Sequence, residues 1–207
     1  QEMKIKYTII IMILIVKNNE KGDTVKTIPK LINFFESKKI PIMCISNDYD
    51  IEKILKNKKK ITGVILSGGN MRLTSEICLN KIIKSIYPIL ELKVPILGIC
   101  LGFQILALIH GGQLEKLPKK RKFNQSINIK IKGKLFKDLD KNSIFYQNHN
   151  DFVKKVPSNI KILATSNNGK IIQAFKHKEK ELYGVQFHPE MSNETGEKLL
   201  NNFLSIL

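Results

Sequence analysis

VPILGICLGFQILALIHGG, Val94–Gly112, decides the fold. It opens as an apolar run that suits a strand, passes through Gly98-Ile99-Cys100-Leu101-Gly102, and continues with helical apolar spacing to the Gly111-Gly112 stop. A strand that ends at a small-residue turn and feeds straight into a helix puts the turn residue at a sharp corner. This is the logic of the Gly-x-Ser-x-Gly elbow, with cysteine in place of serine. The glycines two before and two after Cys100 are expected to leave room for a strained corner and for a substrate to approach the backbone. A cysteine at a helix N-terminus also sits where the helix dipole and unpaired N–H groups favour a thiolate.

Toward the N-terminus the same alternation repeats. Tyr7 to Val16 (YTIIIMILIV) is the most apolar segment. It falls short of the roughly 20 apolar residues that span a bilayer. No small-residue cleavage site follows it, so it reads as a buried central strand rather than a leader. Asn18 to Asp23 is polar and turn-like. A helix is expected from near Thr27, with Pro29 in its first turn. Ile40 to Ser46 reads as a second buried strand, Ile51 to Leu55 as a short helix, and Ile61 to Leu66 as a third strand ending at Ser67-Gly68-Gly69. Ser75 to Leu92 is a helix expected to kink or break at Pro88. Val94 to Ile99 then delivers Cys100. Such β-α-β-α order implies a parallel, doubly wound sheet.

Beyond Gly112 the pattern changes. Ile127–Ile131, Ser143–Tyr146, Ile160–Thr165, Ile171–Phe175 and Leu182–Phe187 are short β-rich runs with too little chain between several of them for a helix. Antiparallel pairing is expected there. Glu194 to Leu207 places Leu199, Leu200, Phe203, Leu204 and Leu207 on one helical face that should dock on the sheet. No repeat or linker interrupts residues 1–207. The expectation is one domain, with residues 1–12 as an N-terminal extension.

Net charge is +17. Lysine, asparagine and isoleucine are abundant throughout, and lysine replaces arginine almost everywhere. A nucleic-acid site recruits arginine and interleaved aromatics. Compositional drift is therefore the reading, and a nucleic-acid partner is not expected. The Lys119-Lys120-Arg121-Lys122 run is read as a solvated loop. Three cysteines with no CxxC spacing imply neither a disulfide framework nor a zinc site, and a reducing, cytoplasmic setting. Cys44 and Cys78 read as inert packing residues.

A nucleophilic cysteine needs a base, and the base an orienting group. Of four histidines, His110 at a helix end reads as structural and His177, in KHKEKE, as solvated. His149, in YQNHND, could face a site. His188, in GVQFHPE, follows a buried strand, and strand ends are where α/β sheets place functional groups. Glu190 can turn back onto its ring. Cys100, His188 and Glu190 form a candidate triad, set against a surface histidine beside a turn.

GICLGFQ (Gly98–Gln104), YGVQFHPE (Tyr183–Glu190) and LSGG (Leu66–Gly69) together resemble the class I glutamine amidotransferase family. The resemblance runs from about residue 13 to the end. It implies a flavodoxin-like three-layer α/β sandwich with a mostly parallel central sheet and antiparallel strands in the second half. It implies a glutaminase: Cys100 attacks glutamine, His188 moves the proton, and Glu190 orients His188. Gly68, Gly69 and Leu101 would form the oxyanion loop and its partner. Gln104, Asn148, Asn150 and Asp151 would hold the amino acid, and His149 and Asp151 would face a synthetase. No metal or cofactor is implied in this chain; ATP and magnesium would belong to an ATP-dependent synthetase partner. Within the family, HNDFVKKVP, LATS and the SGG before residue 70 are most similar to the glutaminase of GMP synthetase. The glutaminases of imidazole glycerol phosphate synthase and anthranilate synthase, and a stand-alone γ-glutamyl hydrolase, remain the alternatives.

Overall fold

The computed structural model describes residues 11–18, 27–46, 60–71, 73 and 76–207. Strand β1 (Ile13–Lys17) is followed by α1 (Thr27–Ser37), β2 (Ile42–Ser46), β3 (Gly63–Leu66), α2 (Glu76–Leu90), β4 (Ile96–Ile99) and α3 (Leu101–Ile109). Then come β5 (Gln113–Ser126), β6 (Asn128–Ile129), β7 (Ile144–Lys155), β8 (Ile160–Ser166), β9 (Ile171–His177) and β10 (Leu182–Val185). A 3-10 turn (Pro189–Met191) and α4 (Asn193–Leu204) close the order.

Eight strands form one sheet in the order β2-β1-β3-β4-β10-β9-β8-β6. The neighbours from β2 to β10 pair in parallel, and those from β10 to β6 antiparallel. Successive side chains of a strand point to opposite faces, so an all-apolar run feeds two cores at once. Ile13 and Ile15 of β1 join Leu31 and Phe35 of α1 and Leu199 and Phe203 of α4 on one face. Leu14 and Val16 join Ile86 of α2 and Phe103 and Leu106 of α3 on the other. This is the three-layer sandwich expected from the sequence, with β1 in its interior. Tyr7–Ile10, the Asn19–Asp23 part of the first turn and the Ile51–Leu55 helix lie outside the described residues.

Several expectations are corrected. The helix α2 runs through Pro88 to Leu90 without a break. A proline this near the C-terminus removes only one hydrogen bond, with the helix ending two residues on. Strand β2 closes one end of the sheet order, and Cys44 on it is exposed rather than packed. The Lys119–Lys122 run is not a loop. It lies on β5, which pairs antiparallel with β7 as a separate two-stranded ribbon. YQNHND is likewise the middle of the 12-residue β7. The pairing jumps from Lys116↔Asp151 to Arg121↔His149, so Leu117 to Lys120 bulge opposite Asn150. Pro118, which has no N–H for a ladder, falls inside that bulge.

The corner at Cys100 depends on Gly102. A β-carbon there would stand 2.2 Å from the Leu66 carbonyl oxygen, and one on Gly98 would stand 2.7 Å from Gly102 backbone atoms. These glycines let α3 press onto β3 and β4; the substrate access expected of them is not their structural role. Gly102→Ala meets unyielding backbone. It is expected to cost about 3 kcal/mol, the upper end for overpacking, measured as the shift in the urea unfolding midpoint against wild type.

Candidate active site

The site gathers at the carboxyl ends of β3, β4 and β10. Register explains why: Gly98 pairs with Gly184 and Ile99 with Val185, and the Cys100 N–H donates to the Val185 carbonyl at 2.8 Å. Cys100 is 4% exposed and caps α3 with φ 51° and ψ −98°. A non-glycine residue held in that region stores about 1–3 kcal/mol of strain. Its thiol faces the Asn148 carbonyl at 3.7 Å, and the Gln186 side-chain amide donates toward the sulfur at 3.8 Å.

His188 stands two residues beyond Gln186, and its N–H donates to the Tyr146 carbonyl of β7 at 2.9 Å. The 3-10 turn that Pro189 begins brings Glu190 back, so that His188 Nδ1 lies 2.7 Å from Glu190 Oε1. Nδ1–H donates to the carboxylate, which leaves Nε2 as the ring atom that can take or give a proton. Nε2 is buried and has no hydrogen-bond partner. Burial by itself would push the imidazole down. The Glu190 carboxylate and the Cys100 sulfur outweigh it and hold His188 well above its ordinary value. Ser192 fastens the turn, donating to the His188 carbonyl at 2.6 Å and accepting from the Tyr146 N–H at 2.9 Å.

The SGG loop is pinned from below. Ser67 Oγ donates to the Gly68 carbonyl and accepts from the Asn18 N–H, while the Ser67 carbonyl accepts from Asn18 Nδ2 at 2.7 Å and from the Gly102 N–H at 3.2 Å. Asn18, fully buried, is a supporting residue that the apolar patterning of the first strand does not reveal. A β-carbon on Gly68 would lie 2.8 Å from His188 Cε1, so this glycine makes room for the imidazole. Gly69 and Leu101 line the pocket beside Cys100.

That pocket, about 470 Å³, is lined by Cys100, His188, Gln104 and the Asn148–Asp151 segment. The triad, oxyanion and amino-acid candidates are therefore together, apart from Gly68 and Glu190, which stand behind His188. Thr27, Asn70, Lys116 and Lys120 also line it. Among these Lys116 comes from just before the β5 bulge and Lys120 from within it, and no local pattern marks them. Gln104 is buried, and its amide donates to the Asp151 carbonyl at 2.9 Å and to Gln186 Oε1 at 3.1 Å.

Two other histidines are buried as well. His149 is buried at 4% exposure, its Nδ1 2.8 Å from the Asp151 carbonyl and its Nε2 3.1 Å from Gln147 Oε1, and the neutral ring donates to one of these two acceptors. Both ring nitrogens face groups inside the fold, and the side chain forms part of the pocket wall. His177 is buried rather than solvated: its Nδ1 accepts the N–H groups of Glu179 and Lys180, and its ring packs against His110. His110 caps α3 with Nδ1 2.8 Å from the Leu106 carbonyl.

Burial chiefly, with Arg121 and His188 nearby, lowers His149 to about 4, against a smaller opposing pull from the Asp151 carbonyl. The unfolded imidazole takes a proton below about 6.5, whereas the folded one stays neutral until about 4. In that window the unfolded state binds more protons, so stability falls as pH falls. The loss is expected to reach roughly 3 kcal/mol. Urea unfolding of wild type and His149→Gln between pH 7 and 4 checks it, since the variant should lack this part of the slope.

The family model for class-I glutamine amidotransferases matches residues 22–207. The chain belongs to the class-I glutamine amidotransferase family. Among relatives, it is 38% identical over 194 residues to a glutamine-hydrolyzing GMP synthase subunit of Methanococcus aeolicus, covering 93% of this chain and 97% of that one. It is 36% identical over 163 residues to the corresponding GMP synthase subunit of Methanocaldococcus jannaschii, with 78% and 82% covered. A crystal structure of a Thermoplasma acidophilum protein, proposed to be a GMP synthase subunit of the same kind, superposes with TM-score 0.80 at 25% identity over 95% of this chain and 94% of that one. A Thermotoga maritima glutamine amidotransferase superposes with TM-score 0.69 at 20% identity, covering 95% and 83%, and shares the fold. This amidotransferase has no helix among its described residues long and apolar enough to cross a membrane.

Proposed function

We propose that this amidotransferase hydrolyses L-glutamine through a γ-glutamyl thioester on Cys100 and hands the ammonia to an ATP-dependent synthetase subunit that converts XMP to GMP. The observation that carries the chemistry is the 2.7 Å contact of His188 Nδ1 with Glu190, which fixes a buried imidazole with Nε2 free beside a cysteine at a helix N-terminus. The relatives named as glutamine-hydrolyzing GMP synthase subunits support the choice of acceptor.

His188 Nε2 takes the Cys100 proton as sulfur attacks the side-chain amide carbon of glutamine. The carbonyl oxygen becomes an oxyanion, which the N–H groups of Gly69 and Leu101 receive; one such donor contributes about 10²–10³ in rate. The C–N bond breaks, and His188 returns the proton to the departing nitrogen as ammonia leaves. Water then attacks the thioester, His188 takes its proton, the C–S bond breaks, and glutamate departs with the thiol restored. Gln104, Asn148, Asn150 and Asp151 hold the amino-acid end. These steps use side chains, backbone and water; ATP and magnesium are assigned to the partner. A free thiol nucleophile suits a reducing cytoplasm.

The test mixes the protein with the ATP-dependent subunit of a GMP synthase, XMP, ATP, magnesium and glutamine. Glutamine-dependent GMP formation is expected, with ammonia release raised by the partner. Stimulation only by a synthetase of another class would overturn the acceptor, and absence of ammonia release with any partner would overturn the glutaminase.

A further inference from the structure

Gln186 has no part in the chemistry above, yet it is fully buried against the nucleophile. Its backbone N–H donates to the Gln173 carbonyl at 2.8 Å, which seats the residue just past β10 and opposite Cys100. Its side-chain Nε2 donates toward Cys100 Sγ at 3.8 Å, and its Oε1 accepts from Gln104 Nε2 at 3.1 Å. Gln104 Nε2 gives its other hydrogen to the Asp151 carbonyl.

The polarity of this chain of contacts is not free. The Asp151 carbonyl only accepts, so the Gln104 group facing it is the NH₂, and the second N–H of that NH₂ meets the Gln186 oxygen. Gln186 then turns its own NH₂ toward the Cys100 sulfur. Both N–H groups of Gln104 are thereby taken, and Oε1 is the atom left for the pocket that Gln104 lines. An acceptor in that place suits a donor on the substrate, an ammonium or an amide N–H. His188, the Asn148 carbonyl and the first turn of α3 are the other groups around the sulfur.

We infer that Gln186 is a positioning residue: one carboxamide donates to the Cys100 sulfur and, through the same orientation, helps the Asp151 carbonyl hold Gln104 with its oxygen toward the substrate. The substrate half rests on the glutaminase reading, while the sulfur half stands without it.

Two variants separate the halves. Gln186→Met keeps the length and removes both contacts. Gln186→Glu keeps an acceptor for Gln104 and removes the donor to sulfur. Alkylation by iodoacetamide at neutral pH, followed on the Cys100 peptide by mass spectrometry to distinguish the other cysteines, is expected to slow roughly three- to ten-fold in Gln186→Met, the scale of one hydrogen bond, and further in Gln186→Glu, whose carboxylate also opposes the thiolate. KM for glutamine is expected to rise by a similar factor in Gln186→Met and to stay near wild type in Gln186→Glu, with kcat lowered in both. Melting curves come first; if one variant does not fold, the alkylation arm is read on the other. Wild-type alkylation rates overturn the sulfur contact. An equal KM in the two variants overturns the coupling to Gln104. A wild-type protein that releases no ammonia sinks the glutaminase reading and leaves alkylation to decide the sulfur contact.

Discussion

Cys100→Ala is expected to abolish ammonia release from glutamine, a loss of about 10⁴–10⁶-fold, with folding intact. Removing a nucleophile from a triad leaves only what the oxyanion donors and binding supply. Neither Cys44 nor the pocket's cations replace it: Cys44 lies on β2 at the far end of the sheet order, outside the pocket, and Lys116 and Lys120 at the bulge have, among the described residues, no orienting partner comparable to Glu190. The fold survives because the corner is held by backbone, through the Cys100 N–H to Val185 and the Gln104 N–H to Cys100. Alanine also tolerates the left-handed φ no worse than cysteine does. Two measurements check this. Ammonia release with the synthetase partner present should fall to background. Rapid acid quench of the wild type should show one γ-glutamyl group on the Cys100 peptide, and the variant none. A variant retaining more than a few per cent of activity would place the nucleophile elsewhere.

The parts read correctly from the chain share one property: their neighbours in sequence carry the signal. Ile13–Val16, Gly63–Leu66 and Ile96–Ile99 are short apolar runs bounded by turns, and a strand buried on both faces looks like that whatever its partners. The elbow is equally local, since Gly98 and Gly102 flank Cys100 and α3 begins at once. What escaped depends on partners far away. Lys119–Lys122 reads as a solvated loop because a two-stranded ribbon outside the main sheet needs no apolar alternation; only pairing with His149 and Asn148 makes it a strand. Gln147, His149, Gln173 and Gln186 are buried polar residues that a periodicity count scores as surface. Gln147, Gln173 and Gln186 are tolerated because each finds a hydrogen-bond partner distant in the sequence, and His149 because Gln147 and Asp151 flank its ring on the same strand. The bulge at Pro118 that brings lysines to the pocket arises from the same ribbon. Patterning located the candidate triad, then, but not the polar scaffold around it.

Glu190→Gln tests the aim of His188 with the smallest change of shape. Glu190 Oε1 accepts from His188 Nδ1, while its other oxygen is buried with no partner. The variant keeps the outline and removes the charge. It also puts an NH₂ where one of the two oxygens stood, leaving a buried donor unmet or turning the wrong atom to His188. The imidazolium that forms when His188 takes the thiol proton then has no counter-charge. In a comparable triad, neutralising the carboxylate costs about 10⁴ in kcat, and a loss of about 10²–10⁴ is expected here. Stability should change with a definite sign. His188 is held above its ordinary value of about 6.5 when folded, so its contribution is fully present below that pH and is lost as pH rises through the higher folded value. Wild type should therefore lose stability on the alkaline side of neutrality, and Glu190→Gln should start lower and vary less there. The checks are kcat/KM against pH and urea midpoints from pH 6 to 9 on both proteins. Wild-type turnover in the variant would mean that the 2.7 Å contact orients nothing the reaction needs. Equal pH slopes of stability would mean that Glu190 does not set the charge of His188.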